Sequence, residues 1–244
     1  MAHDTIQALV QLNNRFYGTH HESFAATRQQ AWPGWKRVVE FFEPGKVLDI
    51  ACGNLRFERF LESAAPDMKF DFTCVDSCAA LAHERTGVRF IEKDVIMSLM
   101  RGEPIVDAAA LFDAAVSFGF MHHIPTFDFR LSFMRALLES VKPGGIVALS
   151  FWRFMDDEKL ASKAVTTTER GVRELGLTLD EGDYLLGWNE EKAAYRYCHN
   201  FTDSEIDDLL DRIADAGMLL DRFSADGRNS ALNGYVVLRR QAIA

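Results

Sequence analysis

Val47-Leu48-Asp49-Ile50-Ala51-Cys52-Gly53-Asn54-Leu55-Arg56-Phe57 reads as an apolar strand that runs into a tight turn and then a helix. At the carboxyl end of the first strand of an open parallel sheet, such a turn is a ligand site: small residues let backbone N–H groups approach closely, and the following helix aims its positive end at the same place. A side chain at Gly53 would block that approach. Beyond the turn, Phe57, Phe60, Leu61 and Ala64 repeat at helical spacing, so a helix from about Asn54 packs one face on the sheet. Further apolar runs over 70–76, 88–94, 112–118 and 146–151 supply four more strands, the last following the turn Lys142-Pro143-Gly144-Gly145. Thr202-Asp203-Ser204-Glu205 is a capping box with Phe201 and Ile206 at the staple positions, which predicts a helix over 203–216. Strands over 218–223 and 234–238 then form an antiparallel hairpin.

The side chains at the strand ends define the ligand. Asp49 stands two residues before the first small residue of the turn, where a carboxylate repels phosphate and suits a cationic amine. Asp76 closes the next strand, 27 residues on, and can accept both hydroxyls of a ribose. Asp94 ends the third strand, and beside the Val95 N–H it suits the amine and ring nitrogen of adenine. A molecule with an amino-acid head, a ribose, an adenine and no phosphate satisfies all three acids, and S-adenosylmethionine is the common one. The segment resembles the first motif of the class I S-adenosylmethionine-dependent methyltransferases, an acid followed by a G-x-G-x-G turn. Ala51 and Leu55 stand where that family has glycine. The resemblance implies a Rossmann-like α/β fold, a mostly parallel sheet closed by a C-terminal antiparallel hairpin. It also implies cofactor contacts at Asp49, Ala51, Gly53, Asp76, Ser77, Asp94, Val95, Ser117 and Phe118.

At 244 residues, 48% hydrophobic and 26% charged, the chain has the composition of one α/β domain with a sizeable core. We divide it into an N-terminal helical lid or flank (1–45), a cofactor-binding core (46–151), an insertion (152–200) and the C-terminal helix and hairpin (201–244). The first 45 residues carry an imperfect helical stripe (Ile6, Leu9, Val10, Leu12, Phe16) and a second helix at about 35–42, and are expected to order over the ligand turn. The beginning of the chain has neither a basic n-region nor a long apolar run, and nowhere are there 18 consecutive apolar residues, so a cytoplasmic protein without membrane contact is expected. The four cysteines have no C-x-x-C spacing and give no metal signature, and Cys74 and Cys78 read as core fillers. Net charge is −9, of which −5 falls in residues 155–192, so total charge neither supports nor excludes an RNA partner. The run Asp156-Asp157-Glu158 reads as a solvated loop.

Three further segments narrow the resemblance: Asn14-Arg15-Phe16-Tyr17, Phe24-Ala25-Ala26-Thr27-Arg28 with Trp32-Pro33, and Tyr195-Arg196-Tyr197-Cys198-His199-Asn200-Phe201. Together with Met121-His122-His123 after the fourth strand, they resemble the tRNA wobble-uridine methyltransferases that esterify a 5-carboxymethyl group. That resemblance implies a carboxylate acceptor carried by tRNA, Arg28 and Arg196 as its clamp with His122 as a donor, Tyr17 at the cofactor, and, as in some members, a small activator subunit. Chemistry gives a parallel reason. Methyl transfer from a sulfonium is an in-line displacement governed by alignment, and a carboxylate needs no base, only a cationic or N–H clamp. A hydroxyl acceptor would need His122 or His123 as base; these neighbours are expected to point apart, with one of them structural. After the fourth strand there is no Asn/Asp-Pro-Pro-aromatic segment, which weighs against a planar nitrogen acceptor. Arg28 suits the cofactor's own carboxylate equally well. A small-molecule O- or carboxyl methyltransferase and a non-catalytic cofactor-binding module stay open as alternatives.

Overall fold

The computed structural model describes residues 1–82, 87–107, 111–189, 191 and 194–242; Glu190 and Lys192 of the acidic stretch lie outside them. Its centre is a seven-stranded sheet. The strands are β1 (Gly45–Ile50), β2 (Phe70–Asp76), β3 (Val88–Glu92), β4 (Phe112–Ser117) and β5 (Val141–Trp152), with β8 (Gly217–Ala225) and β9 (Asn233–Arg240) near the end of the chain; the short β6 (Asp183–Leu186) and β7 (Arg196–His199) pair separately. The spatial order is β3-β2-β1-β4-β5-β9-β8, parallel through β5 and antiparallel in the last three strands. Leu48, Ile50, Val75, Ala115 and Val116 are all fully buried, because helices cover both faces of the sheet. Chain order reverses between β1 and β4, and a crevice outside the carboxyl ends of the strands belongs at that switch point.

The helices are α1 (His3–Ala26), α2 (Trp35–Val38), α3 (Arg56–Ala64), α4 (Val95–Met100), α5 (Phe127–Ser140), α6 (Glu158–Leu175) and α7 (Asp203–Arg212). Several bounds differ from the sequence reading for local reasons. α3 begins two residues late because Leu55 is left-handed, at φ 57°. α2 is one turn that tightens into a 3₁₀ segment over Val39–Phe41. α7 ends at Arg212 rather than 216, and β5 begins at Val141, pairing with Phe112 before a register shift that absorbs the Pro-Gly-Gly turn. Asp156-Asp157-Glu158 is not a plain loop: Asp157 caps α6, accepting the N–H groups of Lys159 and Leu160, each at 3.0 Å. In the predicted capping box, Thr202 accepts the Glu205 N–H at 3.2 Å, but Glu205 itself turns away to Arg130 and His199. Among the described residues no helix is long and apolar enough to cross a membrane.

Candidate functional site

A cavity opens at the carboxyl ends of β1 to β4, roofed by α1. Its wall carries Tyr17, Arg28, Asp49, Ala51, Gly53, Asp76, Ser77, Asp94, Val95 and Phe118. Three predicted residues are not on that wall. Ser117 is fully buried and donates its hydroxyl to the Ile50 carbonyl at 2.9 Å, tying β4 to β1, while His122 and Arg196 lie behind the wall.

The turn is built by its own backbone. The N–H groups of Ala51 and Cys52 both reach the Val75 carbonyl, at 2.7 and 3.2 Å, and Ala51, Gly53 and Leu55 all take positive φ, at 63°, 54° and 57°. A Cβ added at Gly53 would meet no protein atom within 4 Å, so what it would obstruct is the cavity itself. Asp76 accepts the Gly53 N–H on one oxygen and the Cys78 N–H on the other, both at 2.9 Å. Burial pushes its carboxyl up, against the pull of those backbone donors. Asp94 caps α4 through the Met97 N–H at 2.9 Å and accepts the Asn14 side chain at 2.6 Å, linking α1 to the far side of the cavity.

Asp49 has an unforeseen neighbour. Glu58, on α3, is fully buried; it accepts the Cys74 thiol on one oxygen at 3.0 Å and leaves the other without a partner. Burial first, and then the negative charge of the nearby Glu58 carboxylate, hold Asp49 well above the usual carboxylate range. A legible signal was there: Glu58 follows Phe57 and precedes Leu61 on the face that packs on the sheet. Asn13 is a similar case, a polar residue inside the apolar stripe of α1. It accepts the Tyr197 N–H at 2.7 Å and donates to the Tyr197 carbonyl, clamping α1 to β7.

On the opposite wall, Tyr17 O–H lies 2.8 Å from His123 Nε2, and His123 Nδ1 lies 3.0 Å from the Tyr197 carbonyl. A carbonyl only accepts, so we place the ring proton on Nδ1 and let the phenol donate to Nε2. Burial raises the Tyr17 phenol to about 12. Burial and then Arg196 lower His123 to about 3. His122 and His123 do not point apart: both are buried, with ring centroids 4.2 Å apart, and His122 Nδ1 has no partner. Burial, then His123 and Arg196, hold His122 well below the usual imidazole value. Cys198 joins the two histidines, all three ligand atoms falling within 4.8 Å of one another. Sequence spacing gave no hint of this group. The imidazoles are kept neutral first by burial and then by the adjacent guanidinium charges, and those charges oppose a metal cation there just as they oppose a proton.

Arg196 is buried, not a surface strand residue. Its guanidinium sits 5.4–5.7 Å from the rings of Phe16, Phe24, Trp152 and Trp188, and its Nε has no hydrogen-bond partner. Arg28 stacks on Phe24 at 3.4 Å and bonds Thr27 Oγ1 at 2.8 Å; burial and then Arg196 lower it to about 10. Among the described residues neither arginine has a carboxylate within ion-pair distance. Two desolvated cations beside neutral imidazoles, a neutral phenol and a neutral thiol make a region with an unanswered positive charge.

A family model described as a methyltransferase domain matches residues 23–214. Over 206 residues the chain is 26% identical to a protein of Encephalitozoon cuniculi named as a methyltransferase, covering 84% of this chain and 85% of that one. Over 169 residues it is 25% identical to an Arabidopsis thaliana tRNA (carboxymethyluridine(34)-5-O)-methyltransferase, covering 66% of this chain but only 38% of that protein's length. Among solved structures it is similar to a Burkholderia thailandensis 1,6-didemethyltoxoflavin-N1-methyltransferase holding its substrate and S-adenosylhomocysteine (19% identity, 99% of this chain, 92% of that one, TM-score 0.64). A Methanosarcina mazei S-adenosylmethionine-dependent methyltransferase is also similar (16% identity, 88% and 100%, TM-score 0.60). At these identities the structures speak to fold, and it is the Rossmann-like fold expected.

Proposed function

The chain belongs to the family of methyltransferase domains, and from that premise we propose that it is an S-adenosylmethionine-dependent enzyme that esterifies a carboxylate. The wall residues suit the cofactor: Gly53 brings no Cβ to the cavity, Asp49 takes the ammonium, Asp76 the ribose hydroxyls, and Asp94 with the Val95 N–H the adenine. Ser77, Phe118 and Tyr17 complete the contacts. Bound there, S-adenosylmethionine supplies an activated methyl group whose carbon–sulfur bond breaks with its electron pair going to sulfur.

The single observation that carries the carboxylate reading is the pair Arg28 and Arg196, desolvated and without an anion among the described residues. An anionic acceptor answers that charge, and Arg28, on the wall, orients one oxygen toward the methyl. Base catalysis has no support in the neighbouring groups. With His123 at about 3 and Tyr17 at about 12, neither takes a proton from a hydroxyl near neutral pH. A carboxylate arrives already ionised, and no proton is released on transfer. Arg196, behind Phe24 and Trp188, serves the acceptor when the end of α1 moves aside.

The tRNA-borne carboxylate is the first reading of the acceptor, supported by the motifs around Arg28 and Arg196 and by the likeness to the Arabidopsis enzyme. A small organic acid is the second, favoured by the net charge of −9. The product is expected to be a methyl ester, so label from a methyl-labelled donor is released as methanol by mild alkali. Label that survives alkali would mean an N-, C- or ether-linked product and would end the carboxylate reading. Arg196→Ala is expected to lower turnover on the order of a hundredfold while binding cofactor normally. Nucleic acid that copurifies with the protein distinguishes the two acceptors.

A further inference from the structure

A third guanidinium shares the cavity. Arg56 lies on the first turn of α3, three residues after Gly53, and lines the same wall. Its guanidinium stands 5.5 Å from the rings of both Trp32 and Trp35 and donates once, to the Gln30 carbonyl at 2.9 Å. Like Arg28 it has no carboxylate within ion-pair distance among the described residues, and burial followed by Arg59 lowers it to about 10. Beside it Trp35, also on the wall and only 2% exposed, has an indole N–H with no acceptor.

Two features on one patch of wall therefore lack an anionic or accepting partner: a partly desolvated cation and a buried neutral donor. The proposed reaction brings two carboxylates, the acceptor's and the one on the cofactor's amino-acid head. The ammonium and carboxylate of that head share a single carbon, so the cation that answers the carboxylate must stand beside the turn that carries Asp49. Arg56 opens the helix that follows that turn, whereas Arg196 is on β7, against Phe24 and Trp188.

We propose that Arg56, with the Trp35 N–H and one edge of Arg28, holds the cofactor's carboxylate, leaving the other edge of Arg28 and Arg196 for the acceptor's. This rests on the cofactor reading above and assigns Arg56 to binding, not to transfer. A planar guanidinium offers an in-plane edge to two carboxylate oxygens, which a lysine in its place would not.

Calorimetry with two ligands tests it: S-adenosylmethionine and its decarboxylated analogue, which keeps the ammonium, ribose and adenine. The wild-type protein is expected to bind the carboxylated form at least about tenfold more tightly, the worth of hydrogen bonds to a charged group. Arg56→Met is expected to lose most of that preference, through weaker binding of the carboxylated form alone. Arg56→Gln, able to keep the contact with the Gln30 carbonyl, should lose it too and guards against a folding defect in the first variant. Equal losses for both ligands, or an intact preference in either variant, would overturn the assignment of Arg56. A wild-type protein that binds neither ligand would instead sink the cofactor reading on which it stands.

Discussion

Ala51 and Leu55, the two departures from a glycine-rich turn, keep the backbone that glycine would have adopted. Both are left-handed, at φ 63° and 57°, a conformation that costs an L-residue about 1–2 kcal/mol. They differ in what the side chain returns. Leu55 is 2% exposed and packs in the cluster with Trp35 and Phe57, whereas Ala51 lies half-buried on the cavity wall and contributes one methyl. The same substitution should thus have opposite signs. Ala51→Gly relieves strain and gives back part of it as added freedom in the unfolded chain, for a net gain of about 0.5–1 kcal/mol. Leu55→Gly loses a buried side chain worth about 2–5 kcal/mol and should come out destabilising by about 1–3 kcal/mol. Urea midpoints of the two variants decide this, and a destabilised Ala51→Gly would show that the turn is not strained at that position. From the sequence, both residues look like a decayed motif. Their φ angles show the turn's geometry kept and the helix that follows anchored by an extra apolar side chain.

What could be read at the level of elements followed burial. The inner strands β1, β2 and β4 carry apolar runs because both faces are covered, and they were visible for that reason, whereas β3, at the sheet edge, has no buried residue and was legible only from its short apolar stretch. The β6–β7 hairpin was not visible as structure, because four-residue strands rich in Tyr, Arg and His carry no periodicity, although Arg196 within it was found through motif. The 18-residue α6 was hidden for the opposite reason: only Ala164 and Gly171 are buried, so it has almost no apolar stripe. Residues 1–45 were expected to be a lid, and α1 is two things at once. Ile6, Leu9, Val10, Leu12 and Phe16 are buried in the body, while most of 19–31 is exposed and tied down by few side-chain bonds, among them Trp188 to Ser23 at 3.0 Å and Asn54 to the Arg28 carbonyl at 2.9 Å. Only the second half has so little to lose on opening. Amide exchange in 19–31 is therefore expected to slow on cofactor addition while 6–16 stays unchanged. Equal exchange in 19–31 with and without S-adenosylmethionine would leave that segment a fixed flank.

Across the whole molecule, net charge and local charge have opposite signs. A chain at −9 keeps Arg28 and Arg196 together beside β7 without an ion-pair partner among the described residues, and the neighbouring imidazoles are lowered first by burial and then by that charge. This has a consequence for stability against pH. His122, buried and facing His123, Arg196 and Arg28, is held well below 6.5 in the folded protein, so as pH falls through 6.5 the unfolded chain takes up a proton that the folded one refuses. Unfolding is then favoured, by up to about 1.4 kcal/mol for each pH unit below 6.5 until the folded value is reached. Asp49 and Asp76 act in the other direction. Their folded values are raised, so they stabilise at low pH and lose that contribution as pH rises, which masks the histidine in the wild-type curve alone. A non-titrating replacement at His122 cancels the carboxylate contribution, because both proteins share it. The stability of the wild type relative to His122→Asn is expected to fall steadily between about pH 7 and pH 5 when both are unfolded in urea. A difference that stays constant over that range would mean that His122 titrates alike in both states, and that neither burial nor the charge of Arg28 and Arg196 holds it neutral in the folded protein. A difference that rises on acidification would mean an anion next to the imidazole, the reverse of the charge on which the carboxylate reading depends.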